Sequence, residues 1–132
     1  MKNQEKIKKE LAAQYYGEEA RNYDRDRSTD PRRKYIVQRK EEIFRNLLKN
    51  AKGKNILDVA CGTGRFFYLY GKRKIYGIDI SEDQLAEAKK RYVRPKLKKC
   101  DATKICYPNE TFDVVITSQF IEHIPQYFEV IK

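Results

Sequence analysis

A short apolar run that ends in a glycine-rich turn constrains the fold of this chain more than any other feature. The run 55–60 is followed by Cys61, Gly62, Thr63 and Gly64, and a helical pattern begins after them. Glycines carry no side chain and adopt dihedral angles that other residues avoid, so such a turn lets a ligand approach the backbone. Amides at the start of the next helix add affinity for a polar or anionic group. We therefore expect a buried strand that leads into a ligand-binding turn.

A carboxylate stands at the end of the next predicted strand. Asp79 follows Gly64 by fifteen residues. The pair Ser81 and Gln84 has the spacing of a capping box, which starts a helix and places the end of the strand at Asp79 or Ile80. A carboxylate at this point can accept hydrogen bonds from both hydroxyls of a ribose. Spacing and position together predict a bound nucleoside, and a plain turn residue is the alternative.

The turn departs from the dinucleotide-binding fingerprint at its third position. Phe67 stands where that fingerprint has Gly or Ala. The close helix packing that accompanies a pyrophosphate is therefore not provided. A ligand without pyrophosphate fits better, and a nicotinamide-dependent oxidoreductase is disfavoured.

Strand and helix patterns alternate along the chain. Strands are predicted over 55–60, 74–80, 97–100 and 113–117, and helices over about 4–13, 33–50, 65–70, 82–92 and 120–131. This alternation implies right-handed crossovers and a parallel sheet. Two helices have an apolar face that we expect to pack, made by Ile36, Ile43, Leu47 and Leu48 in one and by Phe120, Ile121, Ile124, Phe128 and Ile131 in the other.

Four segments resemble, in order and spacing, the motifs of class I S-adenosylmethionine-dependent methyltransferases. Leu57–Gly64 is similar to the first motif, and 76–81, 100–102 and 111–116 are similar to the next three. The resemblance covers nearly the whole chain. It implies an α/β, Rossmann-like, three-layer αβα fold with a mostly parallel sheet in strand order 3-2-1-4, lacking the usual C-terminal strands. It also implies one truncated domain over 1–132, with a helical lid segment (1–32) and a cofactor-binding core (33–132).

The resemblance implies roles on the methionine side of the cofactor. Asp58 would lie near the amino group, and Gly62 and Gly64 would bring the backbone close, as would Ala60, which stands where the family most often has Gly. Two residues that follow the fourth predicted strand, Ser118 and Gln119, would face the sulfonium and its methyl group. Aromatic residues near the N-terminus resemble a segment that often closes over the cofactor, namely Tyr15, Tyr16 and Tyr23. For these tyrosines, packing on the core is the alternative.

The same resemblance implies a nucleoside site. Asp79 would hold the ribose and Ile80 would pack on the adenine. Asp101 would accept a hydrogen bond from the adenine amino group, and Ala102 would offer its backbone. The alternative for Asp101 is a plain loop aspartate.

The single histidine lies in a segment that resembles the Glu-x-x-Glu-His metal ligands of some methyltransferases. Gln119 replaces the first Glu of that pattern, which removes an anionic oxygen, so we predict no metal site. His123 is a weak candidate for a general base toward a substrate hydroxyl, because its reference pKa suits that role. A histidine that serves only the start of a helix is the alternative.

The chain is strongly basic, with a formal net charge of +10. Residues 89–99 include seven Lys and Arg and no acid. This run is interpreted as a solvated helix end or, alternatively, as a patch that faces RNA. High Lys and Glu usage is also typical of thermophile proteins. The charged N-terminus, the lack of a membrane-length apolar run and three cysteines without metal or disulfide spacing favour a cytoplasmic protein with no membrane partner.

The predicted strand 113–117 has the apolar pattern of a strand buried on both faces. In the family a further strand lies beside it, so we expect a second copy, swapped helices or a separate chain to cover this edge. The predicted function is methyl transfer from S-adenosylmethionine to an unidentified acceptor, with S-adenosylhomocysteine as product. The alternative is a catalytically silent cofactor-binding or regulatory module that contacts RNA. A truncated fragment that binds the cofactor without activity remains a further alternative.

Overall fold

The computed structural model describes residues 6, 7, 9–11, 13, 29–124 and 128. These form two α-helices, α1 (Pro31–Asn50) and α2 (Glu82–Arg91), and four strands, β1 (Asn55–Val59), β2 (Lys74–Asp79), β3 (Lys96–Lys99) and β4 (Val114–Thr117). Two 3-10 helices are Phe67–Tyr70 and Ile121–His123. The described residues between 6 and 13 are helical, in agreement with the first predicted helix.

The sheet has the strand order that the family resemblance implied. All four strands are parallel, in the order β3-β2-β1-β4. Leu57 in the central strand β1 is aligned with Tyr76 on one side and Val115 on the other. The side chains of Ile56, Leu57 and Val59 are buried, as expected for a parallel strand covered on both faces. The predicted α/β fold and strand order are confirmed.

Each α-helix starts at a side-chain cap. α1 begins at Pro31, two residues earlier than predicted, because Asp30 Oδ1 accepts a hydrogen bond from Arg32 N at 2.9 Å and proline suits the first helical position. α2 begins after Ser81, whose hydroxyl accepts a hydrogen bond from Gln84 N at 3.3 Å. The cap predicted for this second helix is confirmed.

The two faces of the sheet are covered differently. On one face Leu48 of α1, Phe67 and Tyr70 of the first 3-10 helix and Leu85 of α2 belong to one buried cluster. On the other face the loop 100–113 packs on the strands through three aromatic rings. Their centroids lie 5.0–5.8 Å apart in edge-on contacts among Tyr76, Tyr107 and Phe112.

The expected apolar face of α1 is wrong in part. Leu48 is buried, and Phe44 packs beside it with its ring 4.9 Å from that of Phe66. Ile36, Ile43 and Leu47, in contrast, are 52%, 52% and 66% exposed. The helix is thus rotated so that its Phe44 side meets the core, because the larger aromatic ring covers more of the apolar surface there.

Among the described residues no helix is long and apolar enough to span a membrane.

The helix predicted over 120–131 is also wrong at its start. Residues 121–123 form a single 3-10 turn, and Ile124 is extended, with φ −120° and ψ 126°. The physical reason lies in the next residue, Pro125, whose ring disfavours a helical conformation for the residue before it. Of the remainder of this predicted helix, only Phe128 lies within the described residues, and it is helical.

Several predicted boundaries move by one or two residues. β1 ends at Val59 rather than residue 60, β2 at Asp79 rather than residue 80, and α2 at Arg91 rather than residue 92. The short helix predicted over 65–70 is the 3-10 helix Phe67–Tyr70. The third strand runs over 96–99, and the fourth begins at Val114. Just before it, the Asp113 carboxylate accepts hydrogen bonds from the amides of Lys54 and Asn55.

Leu57→Ala should lower the free energy of unfolding by about 2–5 kcal/mol, because Leu57 is 2% exposed and truncation leaves a cavity in the centre of the sheet. Its register partner Val115 is 62% exposed in the single chain, so in samples dilute enough to keep chains apart Val115→Ala should change the free energy by less than about 0.5 kcal/mol. Urea unfolding followed by circular dichroism measures both. Equal losses in the two variants would contradict the burial described for β4.

Candidate functional site

The carboxyl ends of the strands surround a cleft that brings together most of the predicted cofactor residues. The predicted residues that line it are Asp58, Ala60, Gly62, Asp79, Ile80, Asp101, Ala102, Ser118 and Gln119, together with His123. Gly64 lies in the adjoining turn and does not line the cleft. Tyr16 and Tyr23 lie outside the described residues, as does Tyr15.

The turn after β1 has a strained, left-handed backbone. Ala60, Gly62 and Gly64 have φ values of 58°, 54° and 71°. A Cβ on Gly64 would lie 2.6 Å from the Phe67 ring, so this position requires glycine both for its dihedral angles and for space. Ala60 pays about 1–2 kcal/mol for the same conformation, which explains why glycine is the better residue there.

Asp79 joins the turn after β1 to the start of α2. Its Oδ2 accepts a hydrogen bond from Gly62 N at 2.8 Å, and its Oδ1 accepts one from Ser81 N at 2.9 Å. Burial raises the pKa of this carboxyl group, and the two amides oppose that rise. Each carboxylate oxygen has a second lone pair, so both remain able to accept a hydrogen bond from a ligand hydroxyl in the cleft.

Asp58 is a second buried carboxyl group in the cleft. It is 5% exposed, and Tyr70 O–H donates a hydrogen bond to its Oδ2 at 2.6 Å. Burial raises its pKa to about 7, against the lowering effect of Tyr70, and the negative charge of Asp79 adds to the rise. A bound cation near Asp58 would favour the ionised form. This side chain therefore suits a positively charged ligand group.

Asp101 is held by the N-terminal segment. Lys9 Nζ donates to its Oδ2 at 2.7 Å, and Thr103 N and Oγ1 donate to its Oδ1 at 2.9 and 2.7 Å. Partial burial alone would raise the pKa of Asp101, but the donors from Lys9 and Thr103 outweigh it and hold the pKa below its ordinary value. Asp101 is thus an ionised acceptor that already has three donors.

The mouth of the cleft follows the end of β4. Gln119 has a φ of 56°, the left-handed conformation that non-glycine residues seldom adopt. Such strain is common at functional sites. His123 lines the same mouth with a side chain that is 52% exposed, and its Nε2 lies 3.9 Å from Glu122 Oε1. Within the described residues, no three His, Cys, Asp or Glu side chains are grouped to hold a metal ion.

Sequence reasoning missed other residues that line the cleft: Lys9, Cys61, Thr63, Arg65, Phe66, Gln84, Cys100, Thr103, Phe120 and Ile124. Several of them flank a motif residue, and this adjacency was a usable signal. Lys9 offered none, because ninety-two residues separate it from Asp101.

Asp58→Asn should change how stability depends on pH. In the native protein the raised pKa of Asp58 contributes stability below about pH 4, and this contribution is lost as the pH rises toward 7. The native protein should therefore lose stability relative to Asp58→Asn as the pH rises. Between pH 5 and 7 the difference between their free energies of unfolding should change by up to about 1.4 kcal/mol per pH unit, in favour of the variant. Urea unfolding at several pH values measures this difference.

A second variant tests the cause of that difference. Tyr70→Phe removes the donor and keeps the ring, so the pKa of Asp58 should rise further and the pH-dependent loss should extend to higher pH. Parallel stability curves for the native protein and Asp58→Asn would contradict the assignment.

Comparison with known proteins places this cleft in a family context. A family model described as a methyltransferase domain matches residues 56–132. Phosphatidylethanolamine N-methyltransferase of Cereibacter sphaeroides is 34% identical over 84 residues, 58% of this chain and 41% of that protein. Demethylmenaquinone methyltransferase of Geobacillus stearothermophilus is 29% identical over 121 residues, 84% and 51% of the two chains. The chain spans about half the length, or less, of these curated relatives.

Solved structures agree on the fold. The magnesium protoporphyrin IX methyltransferase from Synechocystis PCC 6803, solved with bound SAM, matches with a TM-score of 0.73 at 20% identity, over 94% of this chain and 68% of that one. At this identity the likeness shows the fold alone. The family model spans more than half of the chain, and the cleft lies where the glycine-rich turn meets the end of β2. The chain therefore belongs to the class I S-adenosylmethionine-dependent methyltransferases.

Proposed function

We propose that this chain binds S-adenosylmethionine in the cleft and takes part in methyl transfer to an acceptor. The observation that carries the proposal is the Asp79 carboxylate, which faces the same cleft as the glycine-rich turn and accepts a hydrogen bond from Gly62 N at 2.8 Å. A carboxylate in this position suits the two hydroxyls of a ribose. Members of the family bind this cofactor or its product, as the solved structures show.

The residues in the cleft fit the chemistry of this cofactor. Asp58 is a buried carboxyl group whose hydrogen-bond donor, the Tyr70 hydroxyl, is neutral, and it would pair with the positively charged amino group of the methionine part. Asp79 would accept from the ribose hydroxyls. Ile80 and Ala102 give the cleft an apolar surface that suits an adenine ring. The donors on Asp101 imply that the adenine amino group shares or displaces the Lys9 contact.

S-adenosylmethionine, when bound, supplies a methyl group attached to a sulfonium sulfur. The good leaving group is the thioether, S-adenosylhomocysteine. The contribution of the protein is therefore to orient the reactants and exclude water. Gln119 and Phe120 line the mouth of the cleft, where they would hold the acceptor and limit access of water. His123, which lines the cleft, would accept a proton from an acceptor hydroxyl, a role that is needed when the nucleophile must lose a proton.

The acceptor is not selected by family membership. The relatives compared above are named for three different acceptors, phosphatidylethanolamine, demethylmenaquinone and magnesium protoporphyrin IX. A fold or family shared by such different enzymes does not determine the substrate. We therefore propose the cofactor and the class of reaction alone for this site. We also propose that the enzyme acts in the cytoplasm, where its three free thiols would stay reduced.

We also propose that a second polypeptide segment covers the outer edge of β4. No strand of the described residues pairs with that edge, and Val115 is 62% exposed. Open edges of parallel sheets favour pairing with another strand. A second copy of the chain, an exchanged element or a separate chain would each provide it.

Calorimetric titration with S-adenosylhomocysteine tests the cofactor site. The native chain should bind with micromolar affinity, and Asp79→Ala should weaken binding by about 10- to 100-fold through the loss of charged hydrogen bonds. Asp83→Ala, in the exposed first turn of α2, is the matched control and should bind like the native chain. Thermal unfolding of each variant separates a lost contact from a lost fold. Equal binding by the native chain and Asp79→Ala would contradict the proposed site.

Methyl transfer itself is tested with radiolabelled S-adenosylmethionine and candidate acceptors that carry a hydroxyl, an amine or a carbon nucleophile. Transfer to any of them that is lost in Asp79→Ala supports the enzyme. Tight cofactor binding without transfer to any acceptor would instead favour the silent binding module.

Light scattering tests the edge of β4. At micromolar concentration the chain should form a dimer or a larger assembly, and a charged residue in place of Val115 should shift it toward monomer. A monomeric native chain with one cooperative unfolding transition would contradict the proposed cover.

A further inference from the structure

The edge of the sheet opposite the cleft carries a concentration of positive charge. Because all four strands are parallel, their amino ends meet at one edge, and the cleft lies at the other. Three of the loops that enter this edge are 51–54, 71–73 and 92–95, which precede β1, β2 and β3. All charged residues in these loops and at the first positions of β2 and β3 are Lys or Arg.

Hydrogen bonds hold the three loops side by side. Lys74 N donates to Lys54 O at 2.7 Å, and Arg73 Nη2 donates to Ala51 O at 2.8 Å. Arg94 Nη2 donates to Gly71 O at 2.9 Å and so joins the third loop to the second. The loops therefore form one continuous surface, although the residues joined by these hydrogen bonds are 20 to 23 positions apart in sequence.

We define this surface, the amino-edge patch, by its exposed cations: Lys52, Lys54, Lys72, Lys74, Arg94 and Lys96. Neighbouring strands in a sheet lie about 4.8 Å apart, so the cations recur at short intervals across three strands. The first four lysines take part in none of the ion pairs between described residues. Their charge is not balanced by neighbouring acids within that part of the chain.

The fourth loop adds two acids beside the patch. This loop, 108–113, carries Glu110 and Asp113. Asp113 accepts hydrogen bonds from the amides of Lys54 and Asn55 at 2.8 Å, and these amides hold its pKa below the ordinary value. The six cations of the patch still outnumber these two acids, and neither acid forms an ion pair with a patch lysine between described residues.

We propose that the amino-edge patch binds the phosphate backbone of a single-stranded nucleic acid. Closely spaced, unpaired lysines suit a polymer with a regularly repeated negative charge. A groove beside the patch is lined by Tyr68 and Tyr92 together with Arg94, and Tyr68 is 50% exposed. Aromatic faces next to cations are the usual elements of single-strand binding surfaces, where bases stack while phosphates meet lysines.

A membrane surface fits this patch less well. Val93 is 98% exposed, and these three loops, all within the described residues, expose no other large apolar side chain. Stable attachment to a bilayer combines charge with a larger apolar anchor. A nucleic acid needs no such anchor, because counterion release supplies most of its binding free energy.

The position of the patch separates this inference from methyl transfer. The patch and the cleft lie at opposite ends of the strands, so a polymer bound to one leaves the other open. The proposal does not rest on the proposed function, because nucleic-acid binding here needs neither cofactor nor turnover. The structure also divides the basic run 89–99. Lys89, Lys90 and Arg91 lie in the last turn of α2, whereas Arg94 and Lys96 belong to the patch.

Fluorescence anisotropy with a labelled 20-nucleotide RNA of mixed sequence, and the same sequence in DNA, tests the proposal across a range of salt concentrations. The variant K52Q/K54Q/K72Q/K74Q should bind at least about tenfold more weakly, and the slope of log affinity against log salt should fall by up to about 3, at about 0.7 per lost phosphate contact. The matched control K34Q/K98Q/K99Q/K104Q removes the same charge elsewhere and should lose less than about threefold. The DNA arm shows whether the 2′-hydroxyl contributes.

A second measurement needs no variant. Acetylation of surface lysines in the native chain should be slowed by saturating RNA at Lys52, Lys54, Lys72 and Lys74, and not at Lys34. Equal weakening by the two quadruple variants would mean that net charge alone is responsible and would overturn the proposal. Failure of the native chain to bind either oligonucleotide, or binding to phosphatidylglycerol vesicles in place of RNA, would overturn it as well.

Discussion

The hydrogen bond from the Gly62 amide to the Asp79 carboxylate is the interaction on which the functional end of this fold depends. It joins the turn after β1 to the end of β2, and the same carboxylate accepts a hydrogen bond from the Ser81 amide at the start of α2. The contact requires adjacent, parallel β1 and β2 and a left-handed Gly62, and the structure provides both. A partly buried carboxylate held by backbone amides is thereby placed at the cleft before any ligand arrives.

The charge of this carboxylate affects its neighbours. It helps to raise the pKa of Asp58, although burial is the larger cause, and both acids contribute to the raised pKa of the buried Cys61 thiol. The cleft therefore combines several acids with few nearby cations, of which Lys9 is engaged with Asp101. An arrangement of this kind favours a ligand that brings hydroxyl donors and positive charge.

Charge is distributed unevenly between the two ends of the sheet. Acids gather where the strands end, at Asp58, Asp79 and Asp101, whereas the loops that enter β1, β2 and β3 are basic. The formal net charge of +10 hides this division. In a parallel sheet every strand starts at the same edge, so residues that precede different strands become neighbours although they are far apart along the chain. From the sequence, only the run 89–99 stood out as a cluster of basic residues. The structure divides that run between α2, the amino-edge patch and β3.

The sequence by itself determined the strands, the glycine-rich turn, the cap at Ser81 and, through family resemblance, the strand order, because these depend on local patterns and fixed spacings. Tertiary structure decided which side of α1 packs, since Phe44 and Leu48 meet the core while Ile43 stays exposed. It also decided the partner of Asp101, because no local pattern pairs it with Lys9, and it assembled the amino-edge patch from three separate loops. Contacts between residues distant in sequence arise only when the parallel strands are aligned, and no local pattern encodes them.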